Sequence, residues 1–365
     1  MKKVLFSLAA LALVAVACKK PNDGPTKPDE KPVNIEIVSP DDLEVADLDY
    51  ENQGKSFDFE WESDATDADW SIVFSLDESL SNPKEIAVGK ATSKKLTHAD
   101  LDNILNDLGV KQYNAADLYW TIKATIKSKE NLCDDVRSMA LSRFLSPFID
   151  SRENHSYRVC KVSDPLSGDY FIWLADNLRE TKYSDGTPIE GELSVQFFTP
   201  TEAIGQEWVD IFGGYYTWIA AVRNVNDAVD GKKVQGVCPT GWHMPTKGEF
   251  DFLINNCTAA NTPAKDLKDK KLWADGAVGD NTIGFNMAGA GYIWEGNKDI
   301  LEAKSFTAFW MSTIPVEGDV IPWNPPASEF YHQAYSYSTV AAESGMALYV
   351  YDRSRNYSVR CVLDK

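Results

Sequence analysis

The sequence predicts a multi-domain chain: an all-β sandwich with one short helix, followed by an α+β module. Three observations carry that prediction. The first half contains runs of alternating apolar and polar residues separated by polar, turn-forming segments. The second half mixes a hairpin pattern with capped helices. Ahead of both lies a stretch that reads as an apolar targeting signal followed by a tether with little apolar surface to bury. At 365 residues the chain is long enough for two cores.

Residues 1–17 read as a lipoprotein signal peptide. Lys2 and Lys3 precede an apolar run from Val4 to Ala17, broken only by Ser7, and the run ends in Ala15-Val16-Ala17-Cys18. The run is too short to span a bilayer as a helix, and small residues stand where cleavage needs them. Cys18 is the expected lipidation site, which makes the membrane a partner through an anchor. Ala15 stands where such signals more often carry leucine, and the competing reading is an ordinary cleaved signal with an incidental cysteine. Residues 18–32 are rich in Lys, Pro and Asp and are expected to be a flexible tether. With 55 acidic against 36 basic residues the net charge is −19, which argues against a nucleic-acid partner.

The first module is expected over residues 33–150. Val33-Asn34-Ile35-Glu36-Ile37 alternates as a half-buried strand does, and Val38 extends it before Ser39-Pro40. Further strands are expected at Ser56–Trp61, Asp69–Leu76 and Leu118–Ile126, an order that suits an antiparallel sandwich. One helix interrupts them: Thr97 caps it, Asp100 sits in its first turn, Leu101, Ile104, Leu105 and Leu108 form its apolar stripe, and Gly109 stops it. Trp61, Trp70 and Trp120 are expected in the core, because each lies in an alternating strand.

The second module is expected over residues 154–365. Tyr157–Val162 and Tyr170–Leu178, separated by a Pro165/Gly168 turn, give a hairpin pattern. Tyr215–Val222 suits a short helix. Thr246 followed by Glu249 is a capping box, and Phe250, Leu253 and Ile254 supply the apolar face of the helix it opens. Beyond Trp273 the pattern reads mostly as short strands and loops.

A catalytic reading needs a nucleophile beside a base, paired carboxylates or a metal cage, and local spacing assembles none of these. The four histidines are scattered, and neither Cys-x-x-Cys nor His-x-x-x-His occurs, so no metal site and no cofactor are expected. His243 stands at a helix entrance and reads as structural. Asp275, Asp280 and Asn281 lie in a Gly-punctuated loop with oxygen donors but no EF-hand spacing, and read as a solvated turn. Once Cys18 is set aside, five cysteines remain in a chain bound for an oxidising compartment, so at least one stays unpaired.

Two resemblances sharpen this outline. Trp61 in an early strand, Leu96-Thr97-His98-Ala99-Asp100-Leu101 opening a helix, and Leu118-Tyr119-Trp120-Thr121-Ile122-Lys123-Ala124 together resemble the N-terminal domain of SusE-type outer-membrane lipoproteins, over Val33 to Pro147. That likeness implies an immunoglobulin-like spacer on the outer membrane, at the cell surface, in a glycan-uptake system with an outer-membrane transporter complex as partner. Asn177-Leu178, Gly236–Thr246, Gly289-Ala290-Gly291-Tyr292, Phe309–Thr313 and Tyr357–Val362 resemble, in order and spacing, the Fibrobacter succinogenes major paralogous domain. This second likeness implies a C-type-lectin-like fold, shared with formylglycine-generating-enzyme-like domains, and a Cys238–Cys361 disulfide. For the other three cysteines the pairing stays open. The arrangement favoured is Cys133 with Cys160 across the junction, leaving Cys257 free. Formylglycine-generating relatives use reactive cysteines with copper, but their late paired-cysteine arrangement is not visible in this sequence, so a non-enzyme is expected.

Binding asks for less than catalysis: aromatic rings against sugar faces, with amide or carboxyl groups nearby. Tyr292–Asn297 places Trp294 just past Gly291-Tyr292 and beside Glu295 and Asn297. Ile321–Pro326 places Trp323 and Asn324 in a proline-stiffened loop, with Tyr331, His332, Tyr335 and Tyr337 following. The ligand-binding residues expected are therefore Trp323, Trp294, Asn324, Glu295, Asn297 and Tyr331, with satellite core as the competing reading. Trp218, Trp242, Trp273 and Trp310 are expected to pack in the framework. The function expected is non-catalytic glycan binding. The alternatives are an adhesin or assembly protein that binds another protein through the same loops, and a formylglycine-generating type of enzyme.

Overall fold

The computed structural model describes residues 33–189, 195–196, 206–228, 232–257, 262–274, 276–277, 279–294, 299–316 and 332–365. Strands predominate and the helices are few and short, so the chain is β-rich and built from several sheets. None of the helices among the described residues is long and apolar enough to cross a membrane. Two compact units arise. One takes the described residues up to Asp41 with Asp58–Lys94 and Tyr119–Arg137, and the other takes Asp42–Phe57, Lys95–Leu118 and Ser138–Lys365.

In the first unit the strand Asp69–Ser75 lies between Lys84–Gly89 and the long strand Ala115–Ile126, antiparallel to both, with Ile72 opposite Ile86 and Ile122. Ile35–Ser39 pairs antiparallel with Ser56–Ser63, Ile37 opposite Trp61. Alternation sends Phe59 and Trp61 inward from one sheet and Trp70, Phe74 and Trp120 inward from the other. Phe59 meets Trp120 edge-on at 4.8 Å and Phe74 at 5.7 Å, and Trp61 meets Trp70 at 5.7 Å. The three tryptophans assigned to the core are buried there.

The second unit begins with pieces of the sequence's first half. Helix His98–Asp107 has the expected Thr97 cap, with Asp100 completing a capping box, buries Leu101, Ile104 and Leu105, and is followed by Gly109 at φ +89°. Its Asp102 receives a two-pronged ion pair from Arg143, at 2.8 and 3.0 Å. Glu44–Asp47 pairs with Arg137–Ser142 in parallel, where an antiparallel arrangement was expected throughout. Tyr113 and Phe148 pack on Trp242, at 6.3 and 5.1 Å between ring centres, which draws these segments into the second core.

Among the described residues, the antiparallel pair Phe148–Asp150 and His155–Tyr157 and three sheets of three or four strands make up the rest of that unit. Val159–Ser163 and Tyr170–Leu174 form the expected hairpin, extended by Val362–Leu363 and then Trp242–His243. Tyr215–Thr217 lies between Val195–Gln196 and Asn356–Tyr357. Phe306–Trp310, Gln333–Val340 and Ala347–Asp352 form an antiparallel meander. The segment expected to be one helix from Tyr215 is divided: Tyr216 pairs with Tyr357, and only Trp218–Val222 is helical, capped by the Thr217 side chain. Cross-strand pairing takes the first residues and leaves the cap to start the helix. Helix Lys247–Asn255 has the expected Thr246/Glu249 capping box and lays Phe250 on Trp173, 5.0 Å between rings.

The C-terminal segment runs through all of this. Trp310 donates to the Ser358 carbonyl, Leu178 to Val359 and Leu174 to Cys361, and Asp364 donates to Gly241. Arg360 is fully buried. Its guanidinium donates to Asn177 Oδ1 at 2.7 Å and to the carbonyls of Leu174, Phe285 and Asn286, and it lies 4.6 Å from the Phe285 ring centre. Burial pulls it down to about 10, which leaves it charged at neutral pH. Cys361 is bonded to Cys238, both buried, as the resemblance implied. Cys133 and Cys160 do not pair: with Cys257 they are free, buried thiols. Cys133 donates to the Ile35 carbonyl, and Cys160 faces the core beside Trp173 and Phe285. Trp218, Trp242, Trp273 and Trp310 are all packed, as expected.

A link spanning 123 residues of sequence removes about 4 to 5 kcal/mol of unfolded-state freedom on the chain-entropy account. The double variant Cys238→Ser/Cys361→Ser is therefore expected to lower the thermal midpoint of the second unit by on the order of 10 °C, measured by calorimetry. An unchanged midpoint would contradict this.

Candidate ligand-binding groove

The meander has two faces, set by strand alternation. Thr307, Phe309, Tyr335, Tyr337 and Val350 share one face; Phe306, Ala308, Ser336, Ser338, Ala347, Tyr349 and Tyr351 share the other, as the cross-strand register requires. The first face is core, and the second is core too at Ala308, Trp310 and Ala334. Tyr335 and Tyr337, read from sequence as companions of the binding loop, belong to it, and the Tyr337 hydroxyl donates to Asp251 at 2.6 Å. The second face carries Ser338, Ala347 and Gly345 where larger side chains would fill space. A cavity of about 480 Å³ opens there, between Phe306, Val340, Met346, Tyr349 and Tyr351. Lys268 holds its rim: the buried ammonium donates to the carbonyls of Val340, Ala341 and Glu343.

Beside the groove stands Trp294, 47% exposed, with Tyr349 on the meander 39% exposed. A large aromatic left in water close to a cavity is more informative than a scattered apolar residue. Trp294 is placed by backbone pairing: Ile293 and Asn356 exchange hydrogen bonds of 2.9 and 3.2 Å, and Tyr292 pairs with Leu301. Gly291, at φ +70°, makes the approach possible, since a Cβ there would lie 2.3 Å from the Leu301 carbonyl oxygen. Arg355, in the turn after the meander, then lies over the indole, its Cζ 4.3 Å from the ring centre and 4.9 Å from that of Tyr351. The same guanidinium donates to the Tyr357 hydroxyl at 3.1 Å, which fixes its plane. Trp294 is thus held by a cation–π contact and not by burial.

Chemically the groove offers aromatic faces and neutral hydroxyls. Burial raises the Tyr351 hydroxyl, so it serves as a neutral donor and acceptor, 3.5 Å from Ser338 Oγ. Thr339 Oγ1 donates to the Gly345 carbonyl at 2.7 Å and shapes the turn at the groove's end.

Of the residues expected from sequence to bind ligand, Trp294 is described: it does not line the cavity and is linked to Tyr351 on its wall through Arg355. Glu295, Asn297, Trp323, Asn324 and Tyr331 lie outside the described residues, as does Cys18. Tyr349, Tyr351 and Arg355 were not singled out. The alternation in Leu348-Tyr349-Val350-Tyr351, which sets two tyrosines on one face of a strand, was the available signal.

The residues weighed for chemistry stand elsewhere. His243 is buried between two carboxylates, Nε2 to Glu249 at 2.8 Å and Nδ1 to Asp364 at 2.6 Å, a structural tie between helix Lys247–Asn255 and the C-terminus. Asp280 pairs with Lys265, and the Asn281 side chain holds Asn286; Asp275 lies outside the described residues. Burial pushes the Cys160 and Cys257 thiols up to about 12, far from the thiolate that reactive cysteines need.

The family described as Fibrobacter succinogenes major domain matches residues 170–363. The family described as SusE outer membrane protein matches residues 22–123 and supports an outer-membrane, cell-surface location. No curated protein and no solved structure matches the chain.

Glu249 gives a pH test of the His243 tie. Burial works to raise its carboxyl, but hydrogen bonds from His243 and from Thr246 outweigh that and hold it below the ordinary 4.5. A carboxyl depressed in the folded state contributes stability that is present above pH 4.5 and lost as pH falls through the folded value. Thermal midpoints recorded from pH 6 to pH 2 are expected to fall less steeply for Glu249→Gln than for the wild type below about pH 4.5, with Glu249→Gln the less stable protein at pH 6. Superimposable profiles would remove the tie from the account.

Proposed function

The chain belongs to the Fibrobacter succinogenes major domain family, and on that premise we propose that it is a non-catalytic glycan-binding protein of the cell surface. In this reading the first module is an immunoglobulin-like spacer, tethered through a lipid on Cys18. It presents a C-type-lectin-like module to the medium, where captured polysaccharide passes to an outer-membrane transporter complex. The likeness of residues 22–123 to a SusE outer membrane protein supports a place in a starch-utilisation-type system. The observation that carries the reading is the half-exposed Trp294, held by Arg355 beside a groove that also presents Tyr349. Flat aromatic surface flanked by hydroxyls suits the apolar face of a pyranose, and rings oriented before binding lose little freedom when the sugar arrives.

The test is retention of the full chain, solubilised in detergent, in native gels containing starch or other soluble polysaccharides. Trp294→Ala and Tyr349→Ala are each expected to weaken retention about tenfold, roughly 1.4 kcal/mol. Retention of the double variant equal to wild type, or no wild-type retention on any polysaccharide, would contradict the reading.

A further inference from the structure

A second cluster lies at the start of the second unit. The hairpin of Phe148–Asp150 and His155–Tyr157 brings Glu153 and His155 together at its turn, and Glu180 arrives from the segment after Leu178. One ligand atom from each of Glu153, His155 and Glu180 lies within 4.8 Å of the other two. Glu180 is 0% exposed. Its Oε1 meets His155 Nδ1 at 2.8 Å and accepts from the Tyr157 hydroxyl at 2.8 Å, while its Oε2 is buried without a donor, and the Glu180 carboxyl lies within hydrogen-bonding reach of the Glu153 carboxyl. The nearby Arg152 does not serve it: that guanidinium is committed to Asp150 and to the carbonyls of Lys182 and Val237.

A buried carboxylate oxygen without a partner is costly, and native proteins rarely keep one without a use. We propose that Glu153, His155 and Glu180 form a divalent transition-metal site of the zinc type, which clamps the hairpin turn to the segment at Glu180. Two carboxylates and one imidazole match zinc or manganese, whereas calcium takes six or more oxygens. Three protein ligands leave a position for water, and His155, with its side chain 30% exposed, gives the ion a way in. Both carboxylates also have a supporting partner of the kind that orients metal ligands. Tyr157 holds Glu180, and the Thr181 backbone N–H and hydroxyl hold Glu153 at 2.7 and 2.5 Å. Local spacing in the sequence does not reveal this cluster, because Glu180 lies far along the chain from the Glu153-Asn154-His155 turn.

The experiment uses the full chain in detergent, stripped with a chelator and titrated calorimetrically with Zn²⁺, Mn²⁺ and Ca²⁺ separately, with Co²⁺ as a visible-absorption probe. The expected result is one Zn²⁺ or Mn²⁺ per chain, reversed by chelator, weakened at least tenfold in His155→Ala and in Glu153→Gln. The Co²⁺ spectrum should lose its nitrogen-ligand contribution in His155→Ala. Glu153→Gln keeps the hydrogen-bond acceptor for Thr181, so it decides the matter if the histidine variant does not fold by circular dichroism. Wild type that takes up none of the ions would show two carboxyls sharing a proton instead and would overturn the proposal. So would uptake unchanged in Glu153→Gln, or binding of Ca²⁺ alone.

Discussion

The second unit depends on its last ten residues. Asn356 to Leu363 pair in turn with Thr217, Ile293, Tyr216, Phe309, Trp173 and His243, so one extended segment is a member of two small sheets and bridges to a third, none of which is large enough to stand alone. Short strands of two residues contribute few hydrogen bonds each. What makes them hold is that Cys361 is covalently fixed to Cys238 and that Arg360, one residue earlier, donates to the Asn177 side chain and to carbonyls from two other segments. A buried guanidinium is expensive unless its donors are satisfied, and here satisfying them needs every one of those segments in place. The charge therefore specifies the arrangement as much as it stabilises it.

The groove inherits this order. Trp294 is placed because Ile293 pairs with Asn356, the first residue of the C-terminal segment, and Arg355 is placed because the turn that carries it joins that segment to the meander. The same alternation that buries Tyr335 and Tyr337 in the core leaves Tyr349 and Tyr351 on the opposite face, with Ser338 and Ala347 too small to fill the space between. The groove then needs no separate scaffold, because the loop residues beside it lean on a sheet whose far face is the core.

Much of this was legible in the sequence, for reasons that differ by element. The cap at Thr97 and the capping box at Thr246/Glu249 were readable because their chemistry is local, and the tryptophans at 61, 70 and 120 because alternation is local too. The Cys238–Cys361 bond came from resemblance alone. The parallel pairing of Glu44–Asp47 with Arg137–Ser142, the strand at Tyr215–Thr217 and the free state of Cys133 and Cys160 were not legible, since each is decided by a partner distant in the chain. The groove lies between: Trp294 was found as an aromatic in a polar loop, while Tyr349 and Arg355 acquire meaning only once the meander folds beside it. His243, read as structural, is held by Asp364, a residue 121 positions away.

Native-state hydrogen exchange, with the disulfide closed and then reduced, tests the dependence on the C-terminal segment most directly. With the bond closed, the amides of Leu174, Leu178 and Trp310, which donate into that segment, should be among the slowest to exchange in the second unit, and Ile293 and Asn356 should share their protection. On reduction the protection of all five should fall together, carrying the groove with it. Retained protection at Ile293 and Asn356 after reduction, with only the residues beside Cys361 affected, would contradict the account.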